Sequence, residues 1–145
     1  MEELKLISFR KDLIAPERKH DDDAGIDCYA LDDFSLCAGD VVIIPLGFGL
    51  VIPKNNQIEL RPRSSINAMG VITQLGTIDS GYRGEIKAVF VNPTRFDRYF
   101  KRGDRICQLV MTPITPCTIC REIKLNPEDV EKTERGSGGF GSTGK

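Results

Sequence analysis

An aspartate and a tyrosine lie three residues apart at a predicted hairpin bend in the segment GTIDSGYRGEIKAVFVN. Asp79 precedes Gly81 by two residues, and Tyr82 follows that glycine directly. A carboxylate at such a bend can orient a water molecule and take its proton, and a tyrosine ring offers a flat surface to a sugar or a base. Taken alone, the segment favours an ordinary D-x-G turn with a half-buried tyrosine.

A guanidinium and two hydroxyls form a second candidate group in the segment RPRSSINAMG. Arg63, Ser64 and Ser65 lie at the end of a predicted strand, just before a short helical turn. Free backbone amides, hydroxyls and a guanidinium that converge there would suit phosphate oxygens. The alternative is a helix N-cap beside a solvated arginine.

Two further polar residues differ from ordinary strand residues. Asp27 follows Ala24 and Gly25 in DDDAGIDCYA, where the backbone can turn tightly and the carboxylate can face a cavity or stabilise the turn. Gln108 lies within a predicted strand in RGDRICQLVM and, by alternation, shares a face with Ile106. A neutral polar group on an apolar face needs a partner, which a ligand or the core can supply.

The glycine-rich segment RGSGGFGSTGK is similar to part of a phosphate-binding loop. Residues 139–145 supply the first seven positions of the pattern G-x-x-x-x-G-K-[ST]. Neither the Ser or Thr nor the helix that such a loop requires follows them. From about residue 128 the composition is charged and then rich in glycine, so we expect a tail that is mobile until it binds something.

Short apolar runs separated by glycine and proline predict that strands position these groups. The runs are LKLISF, DVVIIPLGFGLVIP, NQIELRPR, GEIKAVFVN, DRICQLVMTPI and CTICREI. No window has a long helical apolar period, and only residues 64–70 fit a helical turn. Many short strands with almost no helix predict a single all-β domain, either a barrel or a jelly roll.

Charge and hydropathy exclude several classes of protein. With 20 Lys and Arg against 21 Asp and Glu, the chain has no global positive field for nucleic acid or an anionic membrane. No apolar run approaches the roughly 18 residues of a transmembrane helix, and the N-terminus lacks the form of a signal peptide. We therefore expect a soluble protein that is not secreted.

The five cysteines are odd in number and widely spread, which argues against a disulfide framework and favours a reducing compartment. Cys117 and Cys120 have C-x-x-C spacing, yet a zinc site needs about four ligands and His20 is the only histidine. In a strand, residues three apart point to opposite faces. We therefore expect these two cysteines to be small buried side chains of a strand.

In their order along the chain, five segments resemble the five motifs of the trimeric deoxyuridine triphosphate nucleotidohydrolases, the dUTPases. They are DAGIDCYA, RPRSSINAMG, GTIDSGYRGEIKAVFVN, GDRICQL and RGSGGFGSTG, and they span about residues 22–144. The resemblance implies a homotrimer of jelly-roll-like distorted β-barrels, each with one short helix and a mobile glycine-rich C-terminal arm. It implies a barrel over residues 1–127 and an arm over residues 128–145 that closes over a neighbouring subunit's active site.

The resemblance also implies a set of phosphate-binding groups. Asp27 would reach a magnesium ion through bound water. Arg63, Ser64 and the amide of Ser65 would hold phosphates, and Gln108 would bind phosphate or its water shell. Many family members have a glycine where Ser65 stands, and the serine still offers its amide.

For the nucleoside, the resemblance implies that Asp79 orients the attacking water and contacts the 3′-hydroxyl, while Tyr82 excludes a 2′-hydroxyl. Further implied substrate-binding residues are Thr73, Gly76 and Ile78. Thr73 stands where some members have an asparagine that bonds uracil. Because threonine has no amide, base recognition would rest on backbone groups or on Gln74.

The implied arm residues are Arg135, Ser142 and Thr143 on the outer phosphates and Phe140 over the uracil, with Gly141 beside it. In the family, the first, second and fourth motifs come from one subunit, the third from another, and the last from the third subunit's tail. Each active site would therefore need all three copies.

The implied reaction is hydrolysis of dUTP to dUMP and pyrophosphate by attack of water on the α-phosphorus, with Mg²⁺ as cofactor. It would keep uracil out of DNA and supply dUMP for thymidylate synthesis. The implied partners are dUTP and further copies of the chain, without direct binding of nucleic acid or membrane. The cytoplasm or the nucleus would be its compartment.

Two other functions remain open at this point. A deoxycytidine triphosphate deaminase has a similar fold but needs a glutamate as general base, and Glu85 follows SGYRG too late for that role. A nucleotide-binding β-scaffold without turnover would be favoured by loss of Asp79 or of the tail, and the sequence has both.

Overall fold

The computed structural model describes residues 3–121, 125–135 and 137, and in these ranges nearly all regular structure is strand. The described elements are β1 Lys5–Ser8, β2 Ile26–Tyr29, β3 Phe34–Leu36, β4 Val41–Pro45, β5 Phe48–Val51, β6 Asn56–Arg61, α1 Ser64–Ala68, β7 Ile72–Thr73, β8 Gly76–Asp79, β9 Lys87–Val91, β10 Arg98–Phe100, β11 Arg105–Pro113 and a 3-10 turn, Pro127–Asp129. The predicted all-β class with one short helix is confirmed. Within the same ranges, no helix is long and apolar enough to cross a membrane.

The chain divides into two compact units, Met1–Thr115 and Pro116–Lys145. The first contains the eleven strands and α1. In the second, residues 116–121 form no strand, and Cys117 and Cys120 are exposed, so the expected buried strand is wrong there. Alternation alone does not make a strand, because its backbone groups need a neighbouring strand to bond. The predicted boundary between residues 127 and 128 stays a prediction.

A four-stranded antiparallel sheet, in the order β2-β11-β6-β8, carries most of the predicted site residues. Asp27 on β2 is in register with Gln108 on β11, and Gln108 is in register with Arg61 at the end of β6. On the other side of β6, Asp79 at the end of β8 is in register with Gln57. The two groups of predicted residues therefore lie at different ends of β6.

A three-stranded sheet, β4-β9-β7, and the two-stranded sheets β1-β5 and β3-β10 complete the jelly-roll-like distorted barrel. The pairings within these sheets are antiparallel. Such pairings allow the chain to turn back through short loops, which agrees with the frequent glycine and proline between the apolar runs.

The core of the barrel is formed by the inward residues of these strands. In β6, Ile58 and Leu60 are buried, whereas Glu59 between them is partly exposed, as the period of two in a strand requires. Phe34 stacks on Phe90 and on Phe100, with ring centroids 6.2 and 4.7 Å away. Burial of these apolar side chains is the main force that holds the sheets together.

All five cysteines lie in the described ranges, and none of them forms a disulfide. Cys28 and Cys107 are buried and lie opposite each other on β2 and β11. A hydrogen bond with Cys107, together with burial, raises the pKa of the Cys28 thiol well above its usual value. This pair therefore behaves as part of the core rather than as a reactive site.

Candidate active site

A polar cavity of about 440 Å³, here called the first cavity, opens beside β2, β11 and the end of β6. It brings together four predicted residues from three separate segments, namely Asp27, Arg63, Ser64 and Gln108. The other lining residues are Lys19, His20, Asp23, Ala24, Gly25 and Arg105. Three Lys and Arg side chains against two aspartates give the cavity a positive balance, which suits an anion with several phosphate oxygens.

Asp27 links two arginines within the first cavity. The Arg63 Nε donates to Asp27 Oδ1 at 2.8 Å, and the Arg105 Nη1 donates to Asp27 Oδ2 at 3.1 Å. The Asp27 side chain is only 15% exposed, so these contacts are partly shielded from water. The carboxylate thus holds two guanidiniums in place beside the cavity.

Arg105 was not predicted as a site residue, and a β-bulge explains why. Simple alternation puts Arg105 and Gln108 on opposite faces of β11. In the structure, the register between β2 and β11 shifts between Arg105 and Cys107, which inserts one extra residue. Both side chains therefore line the same cavity.

Gln108 has the partner that its position on an apolar strand requires. Its Nε2 donates to the carbonyl oxygen of Pro62 at 2.8 Å. A Cβ on residue 25 would overlap the Oε1 of Gln108, so Gly25 leaves the space in which the amide lies. The glycine of the first segment therefore positions a side chain of the fourth.

The helix α1 begins directly after Arg63, which occupies the N-cap position in extended conformation without a side-chain cap. Ser64 lines the first cavity, whereas the exposed Ser65 does not. The Ser65 hydroxyl instead accepts from the Arg63 Nη1 at 3.4 Å. Arg63 is thus paired rather than simply solvated.

His20 and Asp23 form a small polar group at the edge of the first cavity. Their side chains are in contact, His20 Nδ1 to Asp23 Oδ2, at 3.0 Å. The hydrogen bond from His20 lowers the pKa of the Asp23 carboxyl below its usual value. Both residues, like Lys19, lie in an irregular loop before β2, where spacing gives no signal of a site.

A second cavity, of about 340 Å³, lies beside β8 and the start of β9. It includes four predicted residues, Gly76, Ile78, Asp79 and Tyr82. The other lining residues are Leu60, Thr77, Glu85, Ile86 and Lys87. Its apolar walls and single tyrosine suit a nucleoside, and its two carboxylates against one lysine make it less suited to a triphosphate than the first cavity.

Tyr82 is held over the backbone of the turn that follows Asp79. The Tyr82 amide donates to the carbonyl of Asp79 at 3.0 Å, and its hydroxyl donates to the carbonyl of Glu85 at 3.0 Å. A Cβ on residue 84 would overlap the Tyr82 hydroxyl and ring, so Gly84 allows the ring to lie flat there. These two bonds hold the backbone and the hydroxyl of Tyr82, and the residue remains 46% exposed.

Glu85 and Lys87 line the second cavity although the sequence did not predict them as site residues. The carboxylate of Glu85 accepts from the backbone amide of Gly47 at 3.0 Å, which fits a structural role. Lys87 is exposed at the start of β9. Neither position has a sequence pattern that separates it from an ordinary surface charge.

Thr73 lines neither cavity. It is 4% exposed and in register with the buried Phe90, so it faces the core. Its hydroxyl has no hydrogen-bond partner among the described residues. The adjacent Gln74 donates its backbone amide to Val89 at 2.9 Å. A role for Thr73 in base recognition stays a prediction.

The two cavities are well separated and share no lining residue. Asp79 lies on β8 and Gln108 on β11, the two strands that flank β6. Asp79 is in register with Gln57 of β6 and Gln108 with Arg61, four residues further along that strand. With about 3.3 Å per residue along a strand and about 4.8 Å between strands, their backbones are roughly 16 Å apart. Asp27 lies one strand further away.

The magnesium ion that the resemblance implies has no protein cage in the described residues, where no group of three His, Cys, Asp or Glu side chains could hold a metal. Asp27 retains acceptor positions beyond those used by Arg63 and Arg105. Magnesium keeps several waters and binds through phosphates with one or two carboxylates. The first cavity therefore fits a hydrated magnesium ion carried by a polyphosphate.

Of the predicted arm residues, Arg135 is described and exposed within the second unit. Phe140, Gly141, Ser142 and Thr143 lie outside the described residues. The roles expected for this group stay predictions.

Comparison with known proteins assigns the chain to a family. The family model described as dUTPase matches residues 11–144. The deoxyuridine 5′-triphosphate nucleotidohydrolase of Gloeothece citriformis is 37% identical over 147 residues, which cover 97% of this chain and 96% of that protein. The enzyme of the same name from Clostridium tetani is 36% identical and covers 98% of this chain and 97% of its own length.

Comparison of the fold with solved structures also finds dUTPases. A mutant dUTPase of Staphylococcus bacteriophage 80alpha, solved with dUpNHpp, superposes with a TM-score of 0.82 and 25% identity over the whole of both chains. Its likeness agrees with the all-β class of the chain. The chain therefore belongs to the dUTPase family.

Proposed function

We propose that this dUTPase hydrolyses dUTP to dUMP and pyrophosphate at centres that several copies of the chain build together. The observation that supports a shared centre is the separation of roughly 16 Å between the backbones of Asp79 and Gln108. A water molecule and the phosphorus that it attacks must come within about 3–3.5 Å of each other. The first cavity of one copy would therefore meet the second cavity of another.

The first cavity holds the triphosphate in this proposal. Arg63 and Arg105 supply positive charge, while Ser64 and Gln108 supply neutral donors. The amide of Ser65 is a further donor to phosphate. Because charge on phosphate oxygens develops during the reaction, groups already aimed at them lower the barrier without reorganisation.

The second cavity holds the deoxyribose and the base. Asp79 orients a water molecule, accepts its proton and contacts the 3′-hydroxyl, while Tyr82 packs on the sugar and leaves no space for a 2′-hydroxyl. Gly76 and Ile78 line the walls. The water oxygen forms a bond to the α-phosphorus, the bond from that phosphorus to the bridging oxygen breaks, and pyrophosphate leaves.

Magnesium, when bound with the substrate, neutralises phosphate charge. Asp27 would reach its water shell through the acceptor positions that the arginines leave free. The same carboxylate keeps the guanidiniums of Arg63 and Arg105 aimed at the phosphates, so it contributes whether or not the ion is present.

The arm completes the centre in this proposal. Arg135, Ser142 and Thr143 contact the outer phosphates, and Phe140 covers the uracil, with Gly141 giving the backbone freedom to fold over the site. Exclusion of water strengthens the charge contacts inside. With one cavity from each of two copies and the arm from a third, the assembly is a homotrimer.

The compartment and partners belong to the same proposal. Five cysteines without a disulfide suit the reducing cytoplasm or nucleus. A net charge of −1 does not favour direct binding of nucleic acid. The cellular roles are exclusion of uracil from DNA and supply of dUMP.

The reaction is tested by measuring pyrophosphate release from dUTP, dCTP, dTTP and UTP in parallel, with magnesium. We expect release from dUTP alone and a loss of about 10²–10⁴-fold in kcat for Asp79→Asn, the usual contribution of a general base. Truncation after Glu134 should also reduce the rate severely, because it removes all the predicted substrate-binding residues of the arm. Ammonia from dCTP would instead indicate a deaminase, and tight dUTP binding without turnover a scaffold.

The shared centre is tested by co-expressing two inactive variants, Arg63→Ala and Asp79→Asn, in equal amounts. If the cavities of a centre come from different copies, random assembly leaves about a quarter of the centres intact. If both cavities come from one copy, the mixture stays as inactive as the separate variants, and the shared centre is wrong while dUTP hydrolysis still stands.

A further inference from the structure

A closed loop of residues 17–27 forms part of the wall of the first cavity. Two backbone hydrogen bonds join its ends: the Glu17 amide donates to the Asp27 carbonyl at 3.0 Å, and the Asp27 amide donates to the Glu17 carbonyl at 2.8 Å. Between these ends, Lys19, His20 and Asp23 line the cavity. The loop is therefore closed at its base, next to the carboxylate that holds two arginines beside the cavity.

A turn from His20 to Asp23 fixes the part of the loop that lines the cavity. The Asp23 amide donates to the carbonyl of His20 at 3.1 Å, and the His20 amide donates to Asp23 Oδ2 at 3.0 Å. The same carboxylate oxygen contacts the Nδ1 of His20 at 3.0 Å. The imidazole is thus positioned before a ligand arrives, which lowers the entropy cost of binding.

The contact with Asp23 leaves Nε2 of His20 as the ring nitrogen that can meet a ligand, and the side chain is 68% exposed. An ionised carboxylate only accepts hydrogen bonds, so the Nδ1 that faces it carries the proton. A phosphate oxygen also accepts, so Nε2 needs a proton of its own to bind it. The ring would therefore bind phosphate as an imidazolium, with a full positive charge.

Lys19 adds an ammonium group to the same wall of the cavity. Arg63 and Arg105 share the negative charge of Asp27, whereas Lys19 is exposed and forms no ion pair with a carboxylate of the described residues. A triphosphate carries several negative charges, so it can use positive groups beyond the two arginines. The charged and titratable side chains that line the cavity are Lys19, His20, Asp23, Asp27, Arg63 and Arg105.

We propose that Lys19 and His20 are further triphosphate-binding residues of the first cavity, and that His20 takes up a proton when the triphosphate binds. This inference rests on the proposed placement of the triphosphate in that cavity, and it adds a segment that precedes the first of the five motifs. The loop meets phosphate charge that is present before and during the reaction. Its contribution therefore lowers KM and leaves kcat nearly unchanged.

The first test compares Lys19→Gln and His20→Gln with Arg18→Gln. Arg18 is exposed in the same loop but lines neither cavity, so Arg18→Gln is a control for the loss of a positive charge nearby. Steady-state kinetics with dUTP give KM and kcat, and circular dichroism checks folding. We expect KM to rise roughly 3- to 10-fold in the two cavity variants, with kcat within about twofold, and little change in Arg18→Gln.

The second test measures binding of magnesium tripolyphosphate by calorimetry at about pH 8, where a free imidazole is mostly neutral. This probe has no nucleoside, so its binding depends neither on the second cavity nor on turnover. We expect the dissociation constant to rise by a similar factor in Lys19→Gln and His20→Gln. Buffers with different ionisation enthalpies report proton uptake, which should be lost in His20→Gln and retained in Lys19→Gln and Arg18→Gln.

Three results would overturn the proposal: no binding of tripolyphosphate by the unmodified chain, cavity variants that behave like Arg18→Gln, or an unchanged proton uptake in His20→Gln. Failure of the proposed reaction would look different. If the unmodified chain released no pyrophosphate from dUTP, yet bound tripolyphosphate more tightly than Lys19→Gln and His20→Gln, the phosphate-binding loop would be supported and the hydrolysis of dUTP would be wrong.

Discussion

The guanidinium of Arg63 donates to the carboxylate of Asp27 at 2.8 Å, so residues predicted from two separate motifs hold each other in place. Arg105 binds the other carboxylate oxygen at 3.1 Å. Asp27 therefore has a role in the ligand-free chain, which is to fix two positive groups beside the first cavity. This role is additional to any contact with a hydrated magnesium ion.

Replacement of Asp27 by asparagine keeps the shape of the side chain and removes its charge. Hydrogen bonds to charged groups contribute about 1.5–3 kcal/mol, so we expect kcat/KM for dUTP to fall roughly 10- to 150-fold. Asp12→Asn is the matched control, because it breaks an exposed aspartate–arginine pair outside both cavities. Steady-state kinetics of both variants would contradict this role if Asp27→Asn behaved like Asp12→Asn.

Gly25→Ala should displace the side chain of Gln108 without unfolding the barrel. The added Cβ overlaps the flexible end of Gln108, which must move away and lose its bond to Pro62, at about 0.5–1.5 kcal/mol of stability. Activity should fall as in Gln108→Ala. In a double-mutant cycle, Gly25→Ala should add little once Gln108 is alanine. Fully additive effects on kcat/KM would mean that the glycine acts by another route.

Gly84→Ala should weaken discrimination against UTP by moving the Tyr82 ring. The new Cβ overlaps that ring and its hydroxyl, whose bond to Glu85 would break. Rejection by shape is worth about 1–3 kcal/mol, so the ratio of kcat/KM for dUTP and UTP should drop roughly 10- to 200-fold. Tyr82→Phe is the control, because it keeps the ring and should keep most of the discrimination. An unchanged ratio in Gly84→Ala would exclude the ring as the selective element.

Thiol labelling should separate the cysteines into two classes. The exposed ones, expected to react in the native protein, are Cys37, Cys117 and Cys120. Cys28 and Cys107 are buried, and should react only after unfolding. A disulfide reagent followed by absorbance should therefore titrate three thiols before denaturant is added and two more afterwards. Fast reaction of all five would show that β2 and β11 open easily.

The raised pKa of the Cys28 thiol predicts a loss of stability in alkaline solution. In the unfolded chain a thiol ionises near pH 8.5, whereas the hydrogen bond with Cys107 and burial hold it protonated in the fold. The contribution of this thiol to the free energy of unfolding is thus fully present below about pH 8.5. It is lost as the pH rises through the higher pKa that the thiol has in the folded chain. Chemical denaturation between pH 7 and 10 should give a smaller decline for Cys28→Ala than for the unmodified chain.

Long apolar runs made half of the fold predictable. The runs that contain β4, β6, β9 and β11 carry enough branched residues to be recognised alone. The short strands Phe34–Leu36 and Ile72–Thr73 have no such pattern, because they form only through their partners β10 and β9. The predicted strand around Cys117 failed for the converse reason, since the pattern is present without a described partner strand.

Within the site, the sequence predicted polar residues in apolar surroundings, but it did not predict the strand bulge or the strand register that positions them. Gln108 is more polar than its neighbours on β11, and Asp27 lies two residues after Gly25, so both were identified from the sequence. Arg105 was missed because a bulge reverses the alternation that the sequence suggests. The offset along β6 that separates Asp79 from Gln108 depends on how β8 and β11 pair with β6. The sequence of one segment does not determine this strand register.

The four-residue offset on β6 also has a consequence for gene dosage. If no chain carries a complete centre, each newly made chain is inactive until it assembles with others. At low concentration, the rate of dUTP hydrolysis then rises more steeply than the number of chains. Halving expression would then more than halve the activity near the assembly threshold. The register of one strand would thus make the cell's control over uracil in its DNA sensitive to how much protein is made, as well as to how well each molecule works.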